Sequence, residues 1–179
     1  MQKVISLFIL FLFISRAVFG QNKSIQNFIP AGYILLDSAS GDLNRDSYRD
    51  LVLVLKKNGE EDSVDVPRPL LLLQGSATGY SLAGRNDNVV LCYSCGGVFG
   101  DPYQGITIKN GYFSLEHYGG SSWRWTRIIT FRYDAKGKQF RLHRDAGASF
   151  HTAEPDNQEQ VLYHPERFGK TWFTQYVSD

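Results

Sequence analysis

Residues 123–133 alternate between apolar and polar side chains, and this period of two constrains the fold more than any other feature of the chain. The odd-numbered positions, with the exception of Arg127, carry large apolar side chains: Trp123, Trp125, Ile129, Phe131 and Tyr133. Successive side chains of a strand point to opposite faces of its sheet. The segment is therefore predicted to form a strand with one buried face.

The dipeptide Asn110-Gly111 lies between two further strand-like runs, at 106–109 and 112–115. Asn-Gly is the favoured two-residue turn of a β-hairpin because both positions need a positive φ. Shorter apolar runs recur along the chain, at 33–36, 51–55, 70–73, 80–83, 89–91 and 139–143. Aromatic residues make up 14% of the chain and there is one Met, a composition that suits a β-rich core better than a helical one.

Together these segments predict seven to nine short strands separated by turns. We therefore expect an all-β protein with a single antiparallel β domain, a sandwich or an open barrel, over residues 32–179. Segment 153–160 is polar and is predicted to be irregular. Segment 167–177 is predicted to form a strand or one short C-terminal helix.

The first twenty residues have the layout of a secretory signal peptide, with basic Lys3, an apolar run at 4–14 and a small residue, Gly20, at the end. The apolar run is too short to cross a bilayer of roughly 30 Å as a helix. We expect cleavage near Gly20, which would make the protein periplasmic or secreted. Residues 21–31 would then form an N-terminal lead-in.

Removal of residues 1–20 would leave about 159 residues, with 17 basic and 18 acidic side chains. This length suits one domain with a sizeable core. The near-neutral balance gives no argument for nucleic acid as a partner. No later segment is long and apolar enough to predict a membrane span in the mature chain.

Residues 42–50 place oxygen-bearing groups on a short loop before the run 51–55: Asp42, Asn44, Asp46, the carbonyl of Tyr48, and Asp50. Calcium takes roughly six to eight oxygen ligands, which include carboxylates and backbone carbonyls. The loop is therefore predicted to bind a structural Ca²⁺ between two neighbouring strands. The alternative is an acidic turn whose carboxylates accept hydrogen bonds from backbone amides without a metal.

The spacing DxNxDxxxD at 42–50 resembles the calcium loops of FG-GAP and VCBS repeats, which occur in integrin-type propeller blades. The chain departs from that pattern at Ser47, where such loops usually have Gly because the backbone turns sharply. It also carries a single copy of the loop, whereas a propeller needs several blades. A full propeller is therefore not expected.

Cys92 and Cys95 are the two cysteines of the chain. In an oxidising compartment, a pair this close is expected to form a local disulfide, which would shape the glycine-rich loop that follows. The alternative is a thiol–disulfide active site. Such a site normally opens a helix, and Gly96-Gly97 disfavours a helix here.

Residues 116–125 gather polar and aromatic side chains around Gly119-Gly120 and provide the candidate ligand-binding residues: Glu116, His117, Tyr118, Trp123 and Arg124. Flat aromatic faces beside polar donors suit a glycan or a peptide. The alternation instead favours a core position for Trp123. An enzymatic alternative is a hydrolase that uses His117 as a base with Glu116, although adjacent strand residues point to opposite faces.

The motifs CYSCGGVFGDP at 92–102 and HYGGSSWRW at 117–125, together with the acidic loop, look like those of a group of uncharacterised secreted bacterial proteins. This resemblance implies a secreted bacterial setting and no particular activity. We therefore predict an exported binding or interaction module with a calcium loop, whose partner is a protein, a peptide or a glycan. An enzyme is the less favoured class.

Overall fold

The computed structural model describes residues 24–62 and 65–178. In this part of the chain, nine strands form two antiparallel sheets, joined by loops and short 3-10 turns and without an α-helix. The expected all-β class is confirmed. The predicted signal peptide, residues 1–20, and the first residues of the lead-in lie outside the described residues.

The first four strands form one sheet in chain order: β1 (Tyr33–Gly41), β2 (Asp50–Lys57), β3 (Arg68–Ser76) and β4 (Gly79–Val90). Each strand pairs antiparallel with the next. The acidic loop connects β1 to β2, as the sequence predicted.

The remaining strands form a second sheet, also in chain order: β5 (Tyr103–Lys109), β6 (Tyr112–Gly120), β7 (Trp123–Asp134), β8 (Gln139–His151) and β9 (Glu159–Leu162). The β5–β6 hairpin turns at Asn110 and Gly111, whose φ values are 55° and 80°. Both positions have the positive φ that favours Asn-Gly, so this prediction is confirmed.

The two sheets pack face to face as a sandwich, because one hydrophobic core takes side chains from both of them. The four-stranded sheet contributes Val52, Val54, Leu70, Leu72, Val89 and Val90; the five-stranded sheet contributes Phe113, Leu115, Ile129, Phe131, Phe140 and Leu142. Phe113 and Phe131 stack with ring centroids 5.2 Å apart. The predicted apolar parity of β7 therefore faces the core.

A second apolar cluster covers the other face of the four-stranded sheet: Leu53, Leu55, Leu71 and Leu73. The 3-10 turn Ile25–Phe28 packs against it. Strands β2 and β3 are therefore buried on both faces, which explains why residues 70–73 form a continuous apolar run. The lead-in predicted from sequence is in part a cover for this sheet.

Strand β4 is continuous, whereas the sequence predicted two separate short strands from the apolar runs at 80–83 and 89–91. Asn86 is buried within the strand, and its amide donates hydrogen bonds to the carbonyls of Phe173 and Tyr176. The polar residue thus fastens the C-terminal segment to the sandwich. That segment contains the 3-10 turns Pro165–Arg167 and Phe173–Gln175, and β9 begins inside the stretch predicted to be irregular.

Candidate ligand-binding surface

The five-stranded sheet divides the predicted cluster at 116–125 between its two faces. In β6 and β7, odd-numbered residues face the core and even-numbered residues face away from it, on what we call the outer face. Glu116, Tyr118 and Arg124 lie on the outer face, and His117 lies on the inner face. The predicted residues therefore do not form one site.

His117 is enclosed between the sheets, with 2% of its surface exposed. Its Nε2 accepts a hydrogen bond from the N–H of Leu91 at 3.4 Å, and its Nδ1 has no partner among the described residues. Burial, followed by the positive charge of Arg127, lowers the pKa of His117 to about 4. The ring is therefore neutral at neutral pH and is removed from the set of ligand-binding candidates.

The hydrolase alternative needs His117 beside Glu116, and the sheet separates them. The Glu116 carboxylate accepts a hydrogen bond from the Thr107 hydroxyl at 3.0 Å on the opposite side. Since neighbouring strand residues alternate between faces, this separation follows from their adjacency. The geometry gives no support to a base formed by these two residues.

Arg127 can occupy a core-facing position of β7 because its charge is neutralised inside the sandwich. Its guanidinium donates two hydrogen bonds to the buried carboxylate of Asp145, at 2.9 and 2.8 Å. The Tyr176 hydroxyl donates to the same carboxylate, and the Tyr163 ring lies 4.3 Å from the guanidinium. The buried charge of Arg127 is thus paired and hydrogen-bonded within the core, which is a structural role.

Arg68 forms a second buried ion network, which the sequence reasoning missed. It is fully buried at the start of β3 and donates hydrogen bonds to Glu60 and to Asp101. Glu60 belongs to the loop after β2, and Asp101 ends the glycine-rich loop. Arg68 therefore ties two loops to the sandwich, through partners 8 and 33 residues away that no local spacing reveals.

The glycine-rich loop at 96–102 packs against the turn between β6 and β7. The N–H of Gly120 donates to the carbonyl of Gly96 at 2.9 Å, and the N–H of Val98 donates to the carbonyl of Gly120 at 3.1 Å. A Cβ at Gly120 would lie 2.0 Å from the Trp123 carbonyl oxygen, which explains the glycine. The glycine-rich loop and the predicted cluster at 116–125 therefore meet.

Three side chains from these segments form a cluster on the outer face, which we call the aromatic platform: Phe99, Tyr118 and Arg124. The rings of Phe99 and Tyr118 lie 5.3 Å apart, and the Arg124 guanidinium lies 4.1 Å from the centre of the Phe99 ring. Phe99 is 48% exposed and the neighbouring Val98 is 80% exposed. The platform thus presents an apolar surface and a cation to solvent.

The donors of Arg124 are unused in the part of the chain that the structure describes. Arg124 forms no ion pair or hydrogen bond there, and its Nη1 is buried without a partner. Stacking on Phe99 holds the planar guanidinium in place. A guanidinium carries five N–H donors, and because Nη1 is closed off from solvent, an acceptor on a ligand would bond to the remaining donors of this half-buried side chain.

Trp123 has the core parity predicted from the alternation, but it stands at the first residue of β7, at the end of the sandwich. It is 58% exposed, and its ring lies 5.3 Å from that of His151. Trp123 therefore lies at the rim beside the aromatic platform. Phe150, which the sequence did not single out, is paired with Arg124 and extends the outer face.

Cys92 and Cys95 form the predicted disulfide. They lie in a turn, and no helix begins there, so the thiol–disulfide alternative lacks its usual structural context. Among residues 24–62 and 65–178, one group of three brings possible metal-ligand atoms within 4.8 Å of one another: Asp65, Cys92 and Cys95. Bonded sulfurs are not thiolates, so this group is not a metal site.

The acidic loop turns where its sequence predicted. Ser47 has φ 72°, the left-handed conformation that glycine adopts in calcium loops. The two carboxylate oxygens of Asp42 accept hydrogen bonds from the N–H groups of Asp46 and Ser47, at 3.1 and 3.0 Å. Asn44 also accepts from the N–H of Asp46, and Asp46 accepts from that of Tyr48. The side-chain oxygens thus turn into the loop.

Asp50 occupies a different position from the other loop aspartates. It is buried, and its two oxygens accept hydrogen bonds from the N–H groups of Leu43 and Gly75, each at 2.9 Å. Burial raises the pKa of Asp50, whereas bonding to the Tyr48 N–H lowers the pKa of Asp46. Backbone N–H groups therefore engage the carboxylates of Asp42, Asp46 and Asp50 alike, and Asp50 differs from the other two in being buried.

No protein-family model matches the chain, and no curated protein sequence matches it. The resemblance to secreted bacterial proteins and to FG-GAP and VCBS loops therefore stays a prediction. Within the described residues, no helix is long and apolar enough to cross a membrane.

Proposed function

We propose that this chain is an exported binding module whose ligand binds at the aromatic platform. One observation carries the proposal: Arg124 lies on the exposed ring of Phe99 with unused donors, one of them buried. A structural role would be expected to engage that guanidinium with a carboxylate, as Asp145 engages Arg127. The disulfide and the signal-like N-terminus support export.

The platform suits a ligand that combines a flat apolar surface with a hydrogen-bond acceptor. A sugar ring or a peptide side chain would cover Phe99 and Tyr118, and its acceptor would bond to Arg124. Trp123 and Val98 would border the contact at the rim. Glu116 lies further along the same face, and His117 takes no part.

The test is a glycan and peptide array, followed by titration calorimetry on the hits. We expect Arg124→Ala and Phe99→Ala to weaken binding about tenfold or more, because each removes a direct contact. Arg85→Ala, in an exposed ion pair on the four-stranded sheet, is the matched control and should bind as the wild type does. Equal affinity of all variants would overturn the proposed site.

We also propose that the acidic loop binds Ca²⁺ as a structural staple between β1 and β2. Asp42, Asn44 and Asp46, with the carbonyl of Tyr48, would supply the oxygen ligands. The left-handed Ser47 supports this, because it gives the loop the sharp turn that such sites require. The ion would add positive charge to three inward-facing acceptors and stiffen the connection.

Thermal unfolding in calcium and in chelator tests the staple. A ligand at a hundredfold excess over Kd stabilises the folded state by about 2.7 kcal/mol, so Tm should rise with calcium. Asp46→Ala should abolish that rise, and Asp87→Ala, on the exposed part of β4, should retain it. Identical Tm values in calcium and chelator would contradict the staple without affecting the platform.

A further inference from the structure

A β-bulge places two basic residues side by side on the outer face of β8. Thr130 pairs with Arg144 and Phe131 pairs with Leu142, so His143 has no partner of its own across the strand pair. A bulge of this kind directs consecutive side chains to the same side. His143 and Arg144 therefore both lie on the outer face, next to Arg132 of β7.

These three residues, Arg132, His143 and Arg144, form what we call the basic cluster. The His143 ring lies 4.9 Å from that of Tyr112, which is paired with Arg132. Partial burial and then the charges of Arg132 and Arg144 lower the pKa of His143, as expected for close cations. Neither arginine has an ion pair or hydrogen bond to a described residue.

Positive charge is concentrated on this face of a chain whose net charge is close to zero. By strand parity, the outer face carries five basic side chains: Lys109, Arg124, Arg132, Arg141 and Arg144. It carries two acidic ones, Asp134, which pairs with Arg141, and Glu116, which accepts a hydrogen bond from Thr107 and keeps its charge, so positive side chains exceed negative ones by three. The excess cations have no counter-charge on the strands of this face, so an anionic partner would supply it.

A shallow groove runs from Arg144 of the basic cluster along β7 and β8 to Thr126, which is one outer-face position short of Arg124 of the aromatic platform. It has a volume of about 440 Å³, and its floor is formed by small side chains of β7 and β8 on either side of the exposed Ile128: Thr126, Thr130, Ala146 and Ala148. Arg144 lines one end, and Gln160 of β9 lines the side. Arg124 and Arg132 are eight residues apart on β7, a span of about 26 Å at the rise of a strand.

We propose that the outer face binds a linear acidic polysaccharide along this groove. Arg124 and the basic cluster would each hold a carboxylate, and the rings of the aromatic platform would hold one sugar unit. The exposed Ile128 would lie against the apolar face of a sugar ring, and Thr130 and Gln160 offer hydrogen bonds to the hydroxyl groups of the chain. This inference rests on the proposed function and names its ligand class.

The test is titration calorimetry with oligogalacturonate, a linear uronate polymer, and with a neutral oligosaccharide of equal length. The wild type should bind the uronate, with an affinity that falls as salt is added. The double variant Arg132→Ala, Arg144→Ala should bind it about tenfold more weakly or worse. The matched control, Lys57→Ala with Arg85→Ala, removes two charges from the other sheet and should bind as the wild type does.

The remaining outcomes distinguish a failure of the acidic-polysaccharide proposal from a failure of the aromatic platform as a binding site. Equal binding of the neutral polymer, or uronate binding that is unchanged in the double variant, overturns the acidic ligand and leaves the aromatic platform standing. Tighter binding of single-stranded DNA or of phosphatidylglycerol vesicles than of the uronate also overturns it. If no saccharide binds, the acidic polysaccharide is excluded, and the array decides the platform separately. Equal Tm values for wild type and variants confirm that folding is intact.

Discussion

Acid is expected to destabilise the protein through His117. Its pKa falls from 6.5 in the unfolded chain to about 4 in the folded protein, because the ring is buried. Between these values the unfolded chain binds a proton that the folded chain excludes. The stability contributed by the neutral ring is therefore fully present above pH 6.5 and is lost as the pH falls toward 4.

The size of the effect follows from the two pKa values. A tenfold difference in proton affinity corresponds to about 1.4 kcal/mol, so the full loss is about 3 kcal/mol, with about 2 kcal/mol already lost at pH 5. The assay is urea denaturation at pH values from about 7.5 to 5, applied to the wild type and to His117→Gln. Glutamine is uncharged throughout, so the variant should lose about 2 kcal/mol less than the wild type over this range.

Parallel pH profiles of the two proteins would refute this reasoning. A second readout is the NMR titration of the His117 ring protons, which should show at most about one-tenth protonation between pH 7 and pH 5. A midpoint near 6.5 would mean that the ring is open to water. His117 would then return to the set of ligand-binding candidates.

Two further variants test the packing that supports the outer face. Arg68→Met should lower the free energy of unfolding, measured by urea denaturation, by about 3–5 kcal/mol, because it leaves the Glu60 charge buried and unpaired. Arg85→Met, in an exposed pair, should lower it by less than about 1 kcal/mol. Equal losses in the two variants would contradict the buried Arg68 network. Gly147→Ala would place a Cβ 1.8 Å from the Thr126 carbonyl oxygen. It should therefore lower stability by about 2 kcal/mol or more, and an unchanged Tm would contradict this close contact.

The architecture could be predicted because its signals are local. The period of two at 123–133 and the Asn-Gly turn each follow from backbone geometry within a few residues, and both are confirmed. Strand β4 was mispredicted because its polar residues 86–88, Asn-Asp-Asn, resemble a turn. Asn86 is tolerated in the strand only through carbonyl partners 87 and 90 residues away.

The candidate site was predicted in part, and the missing part depends on tertiary contacts. A local signal for His117 was available, since it shares strand parity with Phe113 and Leu115 and is buried like them. The stacking of Arg124 on Phe99 had no such signal, because a loop must first dock on the β6–β7 turn. The basic cluster also depends on a bulge, which no spacing in the sequence marks.

Amide chemical-shift mapping during titration with oligogalacturonate tests the central claim most directly. We predict shifts at Arg124, Thr126, Ala148 and Arg144, which follow the groove across the outer face, and none on the four-stranded sheet. Shifts confined to the acidic loop or to β2 and β3, with the outer face unmoved, would contradict the account.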